Sequence, residues 1–233
     1  MGFFEHLLNA QLTIGDQHML WREIIGNIFG LVSALGGMRR RVWSWPVGIV
    51  GNVLLFTVFL GTVFGTVDNH PNMLGQAGRQ IMFIAVSVYG WYRWNQTRRT
   101  GGAGAVAVHP HWASWRTRLL LVAGMAAGTA ILTPVFTALG SYQPVWTDAW
   151  IFTGSVLATY GMAKGWVEFW LIWVAVDIVG VPTLFHAQYY ATGLMYVFYG
   201  AFTIAGFVVW LRIHRREAKE AAAVGSAPAE AVA

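Results

Sequence analysis

A carboxylate stands in the middle of an apolar segment, at helical spacing from two tryptophans. In the stretch EFWLIWVAVDIVGVPTLF, Trp170, Trp173 and Asp177 follow one another at i, i+3 and i+7, which places them on one face of a helix. A charge among apolar residues is costly unless it faces a cavity or a partner, so we expect Asp177 to face inward. The pattern indicates a binding face; the alternative is a structural hydrogen bond to a Ser, Thr or Tyr of a neighbouring helix.

An earlier segment, WSWPVGIVGNVLLF, repeats part of this pattern. Trp45 and Asn52 form the same i, i+7 pair. We include both in the candidate binding site. An amide is cheaper to bury than a carboxylate, so a structural role for Asn52 stands as an equal alternative.

Two further segments carry polar and aromatic residues at i, i+4, i+7 and i+11. The first stripe consists of Gln76, Gln80, Phe83 and Ser87, and the second of Thr192, Tyr196, Tyr199 and Thr203. Rings can stack on an aromatic solute while amides and hydroxyls satisfy its polar edges, so the two stripes predict a site for such a solute. For Tyr196 and Tyr199 the alternative is packing or a position in an interfacial aromatic belt.

The composition of the chain is that of a membrane protein. Of its 233 residues, 56% are hydrophobic and only 11% are charged, and the mean hydropathy is +0.52, so too few polar residues are present to cover a soluble globule. We expect an all-α integral membrane fold in contact with the lipid bilayer. Apolar runs of spanning length predict seven helices, near 21–38, 42–60, 76–95, 116–139, 146–163, 167–185 and 191–212.

Several chemistries lack support in the sequence. Cysteine is absent, and His109 and His111 have no further ligand candidates at zinc spacing, so we expect no metal site and no cofactor. The sequence has no P-loop, nucleophile elbow or paired carboxylate, so we expect that the protein is not an enzyme. The net charge of +5 is assigned to membrane topology rather than to nucleic acid.

The basic residues predict the orientation in the plasma membrane. In a seven-span arrangement, thirteen of the fifteen Lys and Arg lie on one side, and only Arg22 and Arg79 on the other. By the positive-inside rule the N-terminus is outside and the C-terminus is cytoplasmic. Arg22, Glu23 and Asp148 are then expected at the outer surface, in ion pairs or attracting a cationic substrate. Five tryptophans near the cytoplasmic ends are interpreted as belt residues: Trp91, Trp94, Trp112, Trp115 and Trp210.

An internal repeat is visible when residues 21–52 are laid over 146–177 at a constant offset of 125. The aligned residues include two Trp pairs, Trp21 with Trp146 and Trp45 with Trp170, as well as Gly36 with Gly161 and Asn52 with Asp177. A second block at an offset of 116 pairs Gly90 with Gly206. Helices one to three therefore correspond to helices five to seven, inserted in parallel with helix four as a linker, which is an arrangement typical of transporters.

This 3+1+3 arrangement divides the chain into six parts. They are an extracellular segment (1–20), the first repeat (21–95), a cytoplasmic loop (96–115), the linker helix (116–139), the second repeat (146–212) and a disordered cytoplasmic tail (213–233).

The segments WSWPVGIVGNVLLF, QIMFIAVSVYGWYRW and EFWLIWVAVDIVGVPTLF resemble the PnuC family of bacterial vitamin transporters, and the similarity runs over nearly the whole chain. The resemblance implies a fold similar to SWEET transporters and a homotrimer. It also implies facilitated diffusion of a small vitamin precursor, which cytoplasmic phosphorylation then traps. Family members carry nicotinamide riboside or, in some branches, riboflavin, thiamine or deoxynucleosides.

By position, the resemblance assigns substrate-binding roles to Gln80, Trp170, Trp173 and Tyr196. Asp177 departs from the pattern, because members that carry nicotinamide riboside usually have Asn there, and VDIVGVP looks like the actinobacterial branch that carries riboflavin. From the family as a whole, we expect nicotinamide riboside as the substrate, with riboflavin or thiamine as the alternative. A membrane sensor or scaffold that binds its ligand without moving it is the alternative from another class.

Overall fold

The computed structural model describes residues 11–14, 17–59, 74–101, 106–140, 144–186 and 190–225. A short antiparallel hairpin comes first, with β1 (Gln11–Ile14) paired to β2 (Gln17–Leu20). Seven helices follow in the described residues: α1 (Trp21–Met38), α2 (Ser44–Phe59), α3 (Leu74–Thr100), α4 (Trp115–Ala138), α5 (Val145–Lys164), α6 (Glu168–His186) and α7 (Tyr190–Gly225). The prediction of seven helices is confirmed; the hairpin was not predicted.

By length and composition alone, two of the described helical segments can cross a membrane, Trp115–Ala138 and Tyr196–Ala223, and Ser44–Val58 is a shorter apolar helix.

The last helix continues beyond its predicted end at residue 212, to Gly225. The expectation of a disordered tail from residue 213 is therefore wrong as far as Gly225. Ala, Glu, Arg and Lys make up nine of the thirteen residues 213–225, and extending an existing helix through such residues needs no new nucleation. An ion pair between Arg216 Nε and Glu220 Oε1 (3.2 Å) adds i, i+4 support. Similarly, α3 extends to Thr100, into the predicted loop 96–115.

The helices pack mainly against their neighbours in sequence. α1 packs on α2 and α2 on α3; likewise α5 packs on α6 and α6 on α7. α4 packs on α5, and α3 also packs on α5, which brings the two groups of three helices together. Beyond the sequence neighbours, α1 and α7 also touch.

The turns between α1 and α2 and between α5 and α6 have the same backbone hydrogen bonds. Arg41 N donates to Gly36 O at 2.9 Å, and Trp166 N donates to Gly161 O at 3.0 Å. Arg40 and Gly165 precede these donors, and both have a positive φ, of 56° and 82°. Each helix therefore ends on a left-handed residue that reverses the chain into the next helix.

The core contains a tryptophan from each turn. Trp45 is packed edge-on against Trp94 (5.2 Å between ring centroids), and Trp170 is packed edge-on against Trp210 (6.2 Å). Glycines make room for the rings, because a Cβ on Gly90 would clash with Trp45, as would one on Gly206 with Trp170.

Two of the five predicted belt tryptophans belong to this core. Trp94 and Trp210 are 1% and 0% exposed, and Trp210 Nε1 donates to Met38 O at 3.1 Å. The belt interpretation is therefore wrong for these two residues, because they face the bundle rather than its perimeter. Trp91 and Trp115 are exposed.

Arg22 is buried at the start of α1, only 4% exposed, although the sequence favoured a surface position. None of its guanidinium nitrogens has a hydrogen-bond partner in the described part of the chain. α1 packs against β2 at this end.

The connection between α3 and α4 is tied to the second turn. His111 N donates to Gly165 O, and Val167 N donates to His111 O, both at 3.0 Å. Glu168, the first residue of α6, accepts from Ala113 N (3.0 and 3.1 Å) and from Arg118 Nε (2.7 Å). These bonds fix the start of α4 against the start of α6.

Candidate functional site

Asp177 lies on the face of α6 that packs against α7 and is 8% exposed. Thr203 Oγ1 lies 3.5 Å from Asp177 Oδ2, but it also donates to Gly200 O at 2.9 Å. One hydroxyl carries one proton, so the shorter bond to Gly200 is the better one. The carboxylate therefore keeps most of its capacity to accept hydrogen bonds from another group.

Gly200 lies next to the carboxylate, at a distance where an added Cβ would make an ordinary van der Waals contact. A Cβ built on this glycine would lie 3.5 Å from Asp177 Oδ2. Gly200 was not among the predicted site residues, although its position three residues before Thr203, on the same face of α7, could have indicated it.

Gln80 is the second buried polar group of the predicted site. It lies on α3, is 3% exposed, and its Oε1 has no donor in the described residues. The indole nitrogens of Trp45 and Trp170 are likewise buried without an acceptor there. Buried polar atoms are nearly always hydrogen-bonded in folded proteins, so unpaired ones are candidates for contact with a ligand or water.

An aromatic pair joins the two groups of three helices at the site. The rings of Phe83 on α3 and Trp173 on α6 are stacked, with centroids 6.4 Å apart and an interplanar angle of 29°. Both residues were predicted from separate stripes of the sequence. The structure brings them together, so rings from both groups of helices lie side by side.

The structure also describes four further predicted residues. Tyr196 and Tyr199 are half-buried on α7, and the Tyr196 ring lies against Gly180, where a Cβ would approach Cε1 to 2.8 Å. Ser87 is buried on α3 and Asn52 is half-buried on α2. Gln76 and Thr192 are predicted site residues whose side chains lie outside the described part of the structure.

A cavity of about 200 Å³ lies elsewhere, where the last turns of α3 and α5 meet residues 106–113. Its polar lining includes Arg93, His109, His111 and Lys164. None of the predicted binding residues lines it, so it is separate from the candidate site. Within the described residues, no three or more His, Cys, Asp or Glu side chains lie close enough together to hold a metal ion.

An all-helical bundle that directs a carboxylate, an amide and stacked rings toward its interior has the features of a membrane protein that handles a small polar solute. The model of the family described as nicotinamide mononucleotide transporter matches residues 20–212. The chain belongs to this family, as the PnuC resemblance predicted.

Similar proteins with known activities are transporters. The riboflavin/roseoflavin transporter RibM of Streptomyces davaonensis is 38% identical over 215 residues, which cover 91% of this chain and 95% of RibM. The nicotinamide riboside transporter PnuC of Escherichia coli K12 is 24% identical over 237 residues, which cover 92% and 95%. The protein is therefore a membrane transporter and not an enzyme, as expected.

A solved structure supports the fold. The vitamin B3 transporter PnuC superposes with a TM-score of 0.64 at 20% sequence identity, and the match covers 84% of this chain and 83% of that one. At this identity the likeness concerns the fold alone.

Proposed function

We propose that the protein carries riboflavin into the cell by facilitated diffusion across the plasma membrane, and that cytoplasmic phosphorylation traps it. The observation that carries this proposal is the 38% identity with RibM over nearly the whole chain, against 24% with the nicotinamide riboside transporter. This proposal departs from the order expected from the sequence, in which the riboside came first.

The chemistry of the candidate site suits riboflavin. Its flat ring system can stack on aromatic side chains, of which Phe83 and Trp173 are already paired. Its imide N–H and ribityl hydroxyls donate hydrogen bonds, which Asp177 and Gln80 Oε1 can accept. Its ring carbonyls accept, and the buried indole N–H of Trp170 can donate. The thirteen predicted residues remain our proposed site.

Nicotinamide riboside is the second candidate. Its ring is cationic, and a carboxylate at Asp177 can pair with a cation in a site of low dielectric. The E. coli relative at 24% identity carries this compound.

We also propose the 3+1+3 arrangement: two parallel repeats, residues 21–95 and 146–212, with α4 as the linker. The matched hydrogen bonds of the two turns and the two Trp–Gly contacts, each at the offsets found in the sequence, support it. The distribution of Lys and Arg supports an external N-terminus and a cytoplasmic C-terminus.

The family resemblance supports a homotrimer. α4 exposes a broad apolar surface that includes Leu119, Leu120, Val122 and Ile131, all at least half exposed, so this helix is open to lipid or to a second copy. Light scattering that gave the mass of one chain in detergent would contradict the trimer.

Uptake by proteoliposomes tests the proposed function. We expect saturable influx of labelled riboflavin, exchange against riboflavin loaded inside, and little effect of a membrane potential, because the solute is neutral. Saturable influx of nicotinamide riboside or thiamine without riboflavin would contradict the riboflavin proposal. Riboflavin binding, measured by quenching of its fluorescence, without any flux would instead support the sensor.

A further inference from the structure

Arg40, two residues beyond the end of α1, has an unusual backbone conformation. Arg40 has a φ of 56°, in the left-handed region where a side chain is strained and glycine is favoured. At the matching position of the second turn the chain has Gly165, with a φ of 82°. An arginine at a position suited to glycine points to a role for its side chain.

The Arg40 side chain reaches the extension of α7. Its Nη1 donates to Glu217 Oε1 at 2.6 Å and to Val108 O at 3.2 Å. The second oxygen of Glu217, Oε2, lies 3.0 Å from Nδ1 of His109. One carboxylate on α7 is therefore held by the α1–α2 turn and by the α3–α4 connection together.

Two further contacts lie along the same face of α7. His214 Nδ1 lies 2.8 Å from Pro110 O, and Trp210 Nε1 donates to Met38 O at 3.1 Å. The side chains of Arg40 and Glu217 are only 15% and 25% exposed, so solvent screens their attraction less than it screens a surface pair. Residues 210–217 of α7 are thus held by hydrogen bonds to the end of α1, the α1–α2 turn and the α3–α4 connection.

We propose that Arg40 and Glu217 form a gate that holds the cytoplasmic side of the transporter closed. This inference rests on the proposed function and topology, in which the repeats move relative to one another and α7 ends in the cytoplasm. Arg40 lies in the first repeat and Glu217 lies on the extension of α7, the last helix of the second repeat, and their ion pair lies on the side where the solute leaves. The repeats cannot separate there until this pair breaks, so the pair favours the state closed to the cytoplasm.

The test uses the absence of cysteine from the chain. A single cysteine introduced as Ser87→Cys at the candidate site reports access from the cytoplasmic side to a membrane-impermeant thiol reagent. We expect Glu217→Gln and Arg40→Gln to raise the rate of modification by about fivefold, the effect of losing a partly shielded ion pair.

Glu220→Gln is the matched control. Glu220 pairs with Arg216 on the same helix, and both side chains are more than half exposed, so this pair joins no two helices. We expect no change in access. Equal access in the Glu217→Gln and Glu220→Gln variants, with melting temperatures near that of the parent, would overturn the proposal. The assay contains no substrate, so its result does not depend on riboflavin being the solute.

A cross-link supplies the opposite test. In a chain with Arg40→Cys and Glu217→Cys, a flexible bismaleimide that thiols can cleave should stop transport while riboflavin binding remains, and cleavage should restore transport. The same reagent in the Arg216→Cys, Glu220→Cys chain should leave transport unchanged. Transport by the Arg40–Glu217 cross-linked protein at the uncross-linked rate would overturn the gate, whereas a parent protein without any flux would overturn the proposed function instead.

Discussion

The two inter-helical turns, residues 36–45 and 161–170, share one backbone conformation but carry different side chains. Four hydrogen bonds repeat at an offset of 125: those from Arg40, Arg41, Ser44 and Trp45 recur from Gly165, Trp166, Phe169 and Trp170, all between 2.9 and 3.4 Å. In each turn a tryptophan then packs against a glycine of the third helix. The backbone and the core rings are shared by both halves.

The polar residues differ between the halves. The first half has Arg40, which reaches Glu217, and an uncharged amide at Asn52. The second half has Gly165 and Glu168 in its turn and the carboxylate of Asp177 further along α6. The two halves thus share their packing but differ in their charged residues: the first half contributes the arginine of the proposed gate, and the second contributes the carboxylate of the candidate site.

The substitution Asp177→Asn makes the halves alike and should have the largest effect. A hydrogen bond to a charged group contributes more than one to a neutral group, so we expect riboflavin affinity and kcat/KM for uptake to fall by about 10- to 100-fold. Fluorescence quenching measures the riboflavin affinity, and influx into proteoliposomes measures kcat/KM. Adding Asn52→Asp to the Asp177→Asn variant should not restore binding, because the new charge lies on α2 and not on α6.

The same variant separates the two solutes. If Asp177 pairs with a cation, Asp177→Asn weakens nicotinamide riboside much more than neutral riboflavin. Unchanged riboflavin affinity in a folded Asp177→Asn protein would remove the carboxylate from riboflavin recognition.

The glycines under the core rings should give the largest losses of stability. In Gly206→Ala the new Cβ clashes with Trp170, and in Gly90→Ala with Trp45, so we expect each to lower the free energy of unfolding by about 2–3 kcal/mol. Thermal unfolding in detergent measures this.

Gly78→Ala on α3 is the matched control. In the described part of the chain, no atom outside the backbone of α3 lies within 4 Å of a Cβ built on Gly78, so alanine should be neutral or stabilise the helix by about 0.5–1 kcal/mol. A large loss in only one of Gly90→Ala and Gly206→Ala would show that the two halves are not built alike.

The sequence predicted well those features that depend on local composition. Apolar runs and flanking charges located seven helices, and the Trp and Gly pairs that indicated a repeat are in contact in both halves. Asp177 and Gln80 are buried, as the cost of exposing polar groups to lipid requires. Their role in binding stays a prediction.

Features that depend on long-range packing could not be predicted. A tryptophan near a helix end is compatible with a belt or a core, and the burial of Trp94 and Trp210 depends on the fit of rings against distant glycines. The Phe83–Trp173 stack depends on how α3 meets α6. The contact between Arg40 and Glu217 joins residues 177 positions apart, and no periodicity records it.

Substitutions of Glu168 test the hydrogen bonds that it accepts from Ala113 and Arg118 in the second half. In Glu168→Ala the buried N–H of Ala113 loses its acceptor and Arg118 loses its partner, so we expect a loss of about 2 kcal/mol in thermal unfolding. Glu168→Gln keeps an acceptor for Ala113 N–H but loses the charge, and should cost about 1 kcal/mol. Equal losses in the two variants would mean that the ion pair with Arg118, and not the bond to Ala113, holds the start of α4 against the start of α6.

The smallest change in stability is expected for Arg40→Gly, which gives the first turn the residue of the second. Glycine relieves the left-handed strain, a gain of about 1 kcal/mol, while the ion pair with Glu217 is lost, a cost of similar size, so the melting temperature should hardly move. Gly165→Ala is the contrasting variant: it adds strain at a φ of 82° and places a Cβ 2.5 Å from Val108 Cγ2, so it should lose about 1–2 kcal/mol. If Arg40→Gly instead destabilised the protein as much as Gly165→Ala, the arginine would be a structural support of the turn. A near-neutral result with increased cytoplasmic access would mean that the strain at residue 40 is tolerated for the sake of the contact with α7.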